Sequence, residues 1–410
     1  MISKPWRQCG PAFHRAACIG LALLGALGPG GPARASFHTF QIVELFSNAD
    51  GTVQFVKLRE AFGYSGQNFL SGISLTSTSA AGRKVLTFPS NLPSFATAGK
   101  SVLIATQAFA NLGLVVPDYV FPAGFLSTAG GTLDYGSVDV VTYSALPIDG
   151  CQSVGRTGVK SAATPASFSG GASTLSCQRP QSGWWWNPAE AGRGFSLEVN
   201  AQGRIFFSSY LYADDASSLW LTASGALATA AAYQGTLDQY GNGQTLAGLY
   251  QPATRTGSPG ALTVSFATPT TGALTWPGGS MAIQRFDIVA GGAAAGPAAG
   301  MPETGWWWNA SEGGRGFFFE VQGTTMFLSG FMYDAVGRPV WYTSLGAMTG
   351  TTVYQGRLLQ YAGGQTLTGA YRPPSTSSDA GAVSVQFSTT TTASLTLPNG
   401  TRIQLTRFTF

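Results

Sequence analysis

The sequence predicts an all-β chain whose C-terminal part is two tandem small antiparallel meander barrels or sandwiches. Two observations carry this expectation. Residues 183–410 contain one module twice, offset by 121 to 122 positions. Within each copy, short apolar stretches alternate with Gly, Asn, Asp and Pro turns, and no stretch sustains a helical period. At 410 residues the chain is also too long for one ordinary core, which points to several domains.

Residues 1–35 have the layout of a secretory signal peptide. Lys4, Arg7 and Arg15 form a basic start, and an apolar run follows from Ala16 to Leu27. Ala33-Arg34-Ala35 is a small-x-small cleavage site, so the mature chain is expected to begin at Ser36. The apolar run is too short to span a bilayer, and no transmembrane segment is expected once the leader is removed. The whole chain has 22 Lys+Arg and 18 Asp+Glu. Lys4, Arg7, Arg15 and Arg34 all fall in the leader, which leaves 18 charges of each sign. Phosphate-driven binding needs an excess of Lys and Arg, so no nucleic-acid partner is expected. Cys9 and Cys18 also belong to the leader. Cys151 and Cys177 remain, and an even pair in an exported chain reads as a disulfide, with two free thiols as the alternative.

Residues 36–177 differ in character from the duplicated part of the chain. Ile42-Val43-Glu44-Leu45 and Gln54-Phe55-Val56-Lys57-Leu58 flank the turn Asn48-Ala49-Asp50-Gly51. Leu70-Ser71-Gly72-Ile73-Ser74-Leu75 comes next, then Phe88-Pro89 and Ala98-Gly99-Lys100-Ser101-Val102-Leu103-Ile104-Ala105. Val138-Asp139-Val140-Val141-Thr142-Tyr143 comes last. In this order the stretches resemble the lamin-tail domain, with its L-x-G-x-x-L strand, central pair and late V-D-x-V-x-Y strand. The resemblance implies an immunoglobulin-like β-sandwich that is not catalytic, of a kind found in exported bacterial proteins beside other modules. Gln54 and Lys57 stand where that family usually carries acids, so no partner is carried over. The expected fold class is therefore all-β: an immunoglobulin-like sandwich followed by two tandem small antiparallel meander barrels or sandwiches.

The first copy is placed at 183–287 and the second at 305–410. Gly183-Trp184-Trp185-Trp186-Asn187 returns as Gly305-Trp306-Trp307-Trp308-Asn309. Glu190, Arg193, Gly194, Phe195 and Glu198 return as Glu312, Arg315, Gly316, Phe317 and Glu320. Trp220 returns as Trp341, Gly243-Gln244-Thr245-Leu246 as Gly364-Gln365-Thr366-Leu367, and Arg285-Phe286 as Arg407-Phe408. Strands are expected at Phe195–Val199, Ile205–Tyr212, Leu219–Thr222, Thr245–Tyr250, Ala261–Phe266 and Met281–Phe286. The opening Gly-Trp-x-x-Asn and Gly-rich turn is similar to the first hairpin of avidin-type barrels, which implies barrel shape but carries no biotin site. Residues 288–304, mostly Ala, Gly and Pro, read as a flexible linker.

Several chemistries are nearly excluded. After the leader, His38 is the one histidine, two residues from the expected new N-terminus and ill placed for a hydrolytic triad. The usual zinc sites need more Cys and His ligands than remain. No Gly-rich phosphate loop precedes a helix, and no regular calcium loop appears. No cofactor, metal or catalytic residue is expected. One enzymatic alternative survives: the repeated Glu190, Glu198, Glu312 and Glu320 could serve glycoside hydrolysis. Against it, Glu190 can pair with Arg193 to hold a turn.

The candidate binding residues are Trp184, Trp185, Trp186, Asn187, Glu190 and Arg193, with Trp306, Trp307, Trp308, Asn309, Glu312 and Arg315. On a strand Trp184 and Trp186 face one way and Trp185 the other, so each copy must turn Trp outward or have it covered. The next strand has two apolar faces, with Phe206, Tyr210 and Tyr212 on one and Ile205, Phe207 and Leu211 on the other. Its aromatic face must meet another domain, a ligand or a loop. The expected function is non-enzymatic: a secreted binding or adhesion protein for a polysaccharide or a cell-surface protein. Both copies are expected to bind one class of ligand and to gain avidity through the flexible linker. A structural spacer is the remaining alternative. Phe408-Thr409-Phe410 ends the chain as outer-membrane barrels often end, but each module looks too short for one.

Overall fold

The computed structural model describes residues 37–410. The leader and its cleavage site lie outside the described residues. The rest is nearly all β, in a two-sheet N-terminal region and two closed eight-stranded barrels.

In the N-terminal region one sheet has six strands, in the order Lys160–Ala162, Gln152–Gly155, Phe40–Ser47, Gln54–Glu60, Ser101–Thr106 and Tyr119–Phe121. The other has four, in the order Gly82–Thr87, Ser74–Ser79, Gly131–Tyr135 and Asp139–Tyr143. Alternation fills the space between them: Phe40, Ile42, Val56, Leu58, Val102 and Ile104 meet Leu75, Leu133, Tyr135, Val141 and Tyr143 in one buried cluster. The expected opening hairpin is present, Leu45 opposite Val56 and Phe46 opposite Phe55. The expected strand at Leu70 starts later, because Leu70–Gly72 form a turn in which Gly72 takes a positive φ of 82°. Gln54 and Lys57 serve the sandwich itself. The Gln54 amide donates to the Leu126 carbonyl at 2.8 Å and accepts from Leu126 N at 3.0 Å, while Lys57 pairs with buried Glu44.

Cys151 and Cys177 are bridged, with Cα atoms 5.0 Å apart. The bond ties the last stretch of this region to a cluster that also contains Phe46, Phe55, Ala228 and Ala230, the last two from the first barrel. The Asn48 amide at the hairpin turn also donates to Leu227 O at 3.1 Å. Replacing both cysteines with serine is expected to remove roughly 3 kcal/mol, since the bridge closes a separation of 26 residues. Urea unfolding of the double variant, with and without reductant on the parent, measures it.

The first barrel is a meander of Gly183–Trp186, Gly194–Val199, Arg204–Tyr212, Ser218–Thr229, Ala232–Gly241, Thr254–Thr268, Thr271–Trp276 and Gly279–Arg285. It closes where Trp185 pairs with Arg285. The second repeats it strand for strand from Gly305–Trp308 to Arg402–Arg407, closing at Trp307 and Arg407. Each interior is a packed apolar core: Trp185, Leu197, Phe207, Val264 and Ile283 in one, Trp307, Phe319, Leu328, Val385 and Ile403 in the other. Ser265, Thr275, Ser280 and Gln284 face outward and are exposed. This pattern is the reverse of a membrane barrel, which carries its apolar band outside.

Two expectations need correction. Thr245–Tyr250 is no strand. It belongs to the long connection between Ala232–Gly241 and Thr254–Thr268, and it reaches the other barrel, where Leu246 packs against the second core. Leu367 does the reverse, packing against the first core. The apolar spacing that read as a strand serves this exchange. The linker is not flexible either. The buried Gln322 accepts from Ile288 N at 2.8 Å and donates to Phe286 O at 2.9 Å. A short helix, Gly292–Ala295, comes next, Ala298 N donates to Gly323 O at 3.0 Å, and Met301 joins the second core. These contacts hold the segment along the second barrel.

Candidate functional site

The aromatic face of the third strand in each barrel is covered by the other barrel. Trp184, Tyr210, Tyr212 and Trp220 of the first interleave with Trp306, Phe318, Phe331, Tyr333 and Trp341 of the second in one buried cluster. Trp220 lies flat on Phe331, ring centroids 4.6 Å apart and planes at 6°. The Trp220 indole donates to Met332 O at 3.3 Å, and the Trp341 indole donates to Leu211 O at 3.1 Å.

The contacts are reciprocal. Glu320 accepts from Trp184 N at 2.6 Å and pairs with Arg285. Glu198 accepts from Trp306 N at 2.6 Å and pairs with Arg407. Burial pushes the Glu198 carboxyl upward, against the pull of the Arg407 guanidinium. The two modules thus meet by matching patches, as the subunits of a two-fold dimer do. Gly243 and Gly364 allow the closest approach, since a Cβ on either would run into the ring of Tyr333 or Tyr212.

The repeated turn has a definite job in this interface. Asn187 and Asn309 each accept from the backbone two residues on, at 3.0 Å. Glu190 pairs with Arg193, and Glu312 with Arg315. Arg193 then reaches across to Leu367 O at 3.0 Å, and Arg315 to Leu246 O at 3.5 Å. Burial lowers both arginines, opposed by their glutamates. These four residues clamp the exchanged loops, which accounts for their joint repetition. All four repeated glutamates are paired with arginines.

The tryptophans divide into three sets. Trp185 and Trp307, two of the candidate binding residues, point into the barrel interiors and belong to the two cores. Trp184 and Trp306 lie between the barrels. Trp186 and Trp308 are half-buried and meet the edges of Phe286 and Phe408, with ring centroids 5.1 and 5.0 Å apart.

Those last two tryptophans border a pair of clefts, each walled by both barrels. One, of about 460 Å³, lies between Trp308 and Phe408 on one side and Trp220, Tyr240 and Asp238 on the other. Its counterpart, of about 280 Å³, lies between Trp186 and Phe286 on one side and Trp341 and Tyr361 on the other. Each is lined by an indole and a phenol whose polar atoms are buried and have no hydrogen-bond partner among the described residues: Trp306 Nε1 and Tyr333 Oη in the larger, Trp184 Nε1 and Tyr212 Oη in the smaller. Burial pushes both phenols upward, so they stay protonated. Tyr240 and Tyr361 were not singled out in the sequence, although their 121-residue offset carried the signal. Among the described residues no group of His, Cys, Asp and Glu could hold a metal, and no helix is long and apolar enough to cross a membrane. Comparison with known protein families, with curated proteins and with solved structures finds no match.

Proposed function

We propose that the chain is an exported, non-enzymatic binding or adhesion protein that grips a surface polymer or a cell-surface protein in the clefts between its two barrels. One observation carries the reading. Two concave, aromatic-walled clefts, each edged by a half-buried tryptophan and a threonine, recur at equivalent positions of a duplicated module. Clefts of this kind, apolar with a few polar groups, are the usual form of a binding site. The half-exposed Trp186 and Trp308 distinguish this reading from a purely structural spacer, in which every repeat tryptophan would be packed away. The N-terminal sandwich, proposed as a lamin-tail-like domain, would act as a non-catalytic companion. The barrels touch directly and their linker packs along the second barrel, so any cooperation between clefts would act across that shared interface.

Arrays carrying polysaccharides and cell-envelope proteins test this with the full chain. Trp186→Ala and Trp308→Ala are each expected to weaken binding at their own cleft by about 2 kcal/mol, about 30-fold. Unchanged binding by the double variant would remove the clefts from consideration.

A further inference from the structure

The two clefts have diverged, and the differences point to a ligand class. We propose that the larger cleft alone is a subsite for a neutral sugar ring, and that its twin does not take one. The inference rests on the reading that the inter-barrel clefts bind ligand.

The duplication supplies the internal comparison. Trp220 and Tyr240 on the larger cleft correspond to Trp341 and Tyr361 on the smaller, and Thr222 corresponds to Thr343. The aromatic walls are therefore shared. The polar edge is not. Ser224 and Asp238 stand where the second barrel has Leu345 and Leu359, and Ala253 stands where it has Pro374. Pro374 packs against Gly192 at the smaller cleft, while Ala253 leaves more room beside Gly314. The volumes agree, about 460 against 280 Å³. Only the first falls inside the range of roughly 300–1,000 Å³ typical of small-ligand sites.

A pyranose has an apolar face of C–H bonds and a rim of hydroxyls. The larger cleft matches both halves. The half-buried Tyr240 and Trp308 line the cleft and offer ring surface to the C–H face, and buried Trp220 backs Tyr240 with planes at 20° and centroids 6.1 Å apart. Asp238 is registered directly opposite Thr222, beside that platform. One of its oxygens accepts from Arg255 Nε at 2.6 Å, and its other oxygen has no protein donor among the described residues. That oxygen and the Ser224 and Thr222 hydroxyls can take ring hydroxyls. Asp238 is paired with Arg255 and Arg315 with Glu312, so the lining offers no unpaired cation to hold an anionic sugar, which makes the neutral class the better match. Leu345 and Leu359 remove every one of these acceptors from the twin except a threonine.

The test is calorimetric titration of the full chain with hexasaccharides of glucose, mannose and N-acetylglucosamine, and with hexagalacturonate as the anionic control. At least one neutral hexamer is expected to bind at one site per chain, and at least 10-fold more tightly than hexagalacturonate. Ser224→Leu with Asp238→Leu should weaken it at least 10-fold, and Leu345→Ser with Leu359→Asp should leave the first site unchanged. Asp238→Asn guards against a folding artefact: it keeps the shape, removes the charge, and should give a smaller loss with an unchanged thermal midpoint. If Trp186→Ala abolishes binding while the changes at 224 and 238 do not, the twin is the site. That overturns this inference and leaves the proposed function standing. The inference also falls alone if no hexamer binds while a cell-envelope protein does so through Trp308. If binding survives both Trp186→Ala and Trp308→Ala, both readings fall.

Discussion

Glu320→Ala is expected to destabilise the protein by about 3–5 kcal/mol, because it strands a buried charge. Glu320 is 2% exposed, and its carboxylate holds three groups at once: the Arg285 guanidinium, Trp184 N at 2.6 Å and the Gln322 amide at 2.8 Å. Alanine removes the counter-charge of Arg285 and the acceptor of Trp184 N at the centre of the inter-barrel contact. The pair itself is not the source of the stability, since desolvating two ions offsets most of their attraction. Glu320→Leu combined with Arg285→Met should therefore recover much of the loss. The equivalent Glu198→Ala should cost less, because Arg407 retains 14% side-chain exposure against 5% for Arg285. Denaturant unfolding of these variants measures the differences. A loss below about 1 kcal/mol for Glu320→Ala would mean that water reaches the pair.

Trp307→Ala should separate folding from binding. Trp307 is fully buried inside the second barrel against Phe319 and Phe387. Truncation there leaves a cavity and is expected to cost about 3–5 kcal/mol. Its neighbour Trp308 lies on the opposite face, half-buried, and Trp308→Ala should cost only about 1 kcal/mol of stability while removing one wall of the larger cleft. Thermal unfolding and array binding of the two variants should give opposite rankings. Equal effects on both measurements would mean that the alternation of the three tryptophans does not set their roles.

Much of this architecture was legible in residue periodicity. The alternation of Phe206, Tyr210 and Tyr212 with Ile205, Phe207 and Leu211 required a cover for the aromatic face, and the other barrel is that cover. The Cys151–Cys177 bond was expected from an even pair. What stayed hidden depends on pairing between distant positions. Each copy contains the same glutamate and the same arginine, so the sequence does not say that Glu198 pairs with Arg407 while Arg285 turns to Glu320. The Gln-Thr-Leu loops looked like strand because only the opposite barrel explains Leu246 and Leu367. The linker looked loose because its Ala, Gly and Pro composition carries no trace of Gln322, which holds it from a strand of the second barrel. The clefts were likewise invisible, since each is made from both copies.

The reciprocal interface also has a consequence for refolding. Every contact that the first barrel makes with the second inside one chain can be made equally well with the second barrel of another chain. Exchange between molecules preserves the ion pairs, the loop insertions and both clefts, and sacrifices only the local concentration that a short connection provides. The anchored segment 288–304 keeps that concentration high by fixing where the second barrel begins relative to its own wall. Refolding at high protein concentration should therefore yield swapped dimers with native spectra, and loosening the anchor through Gln322→Ala should raise their share.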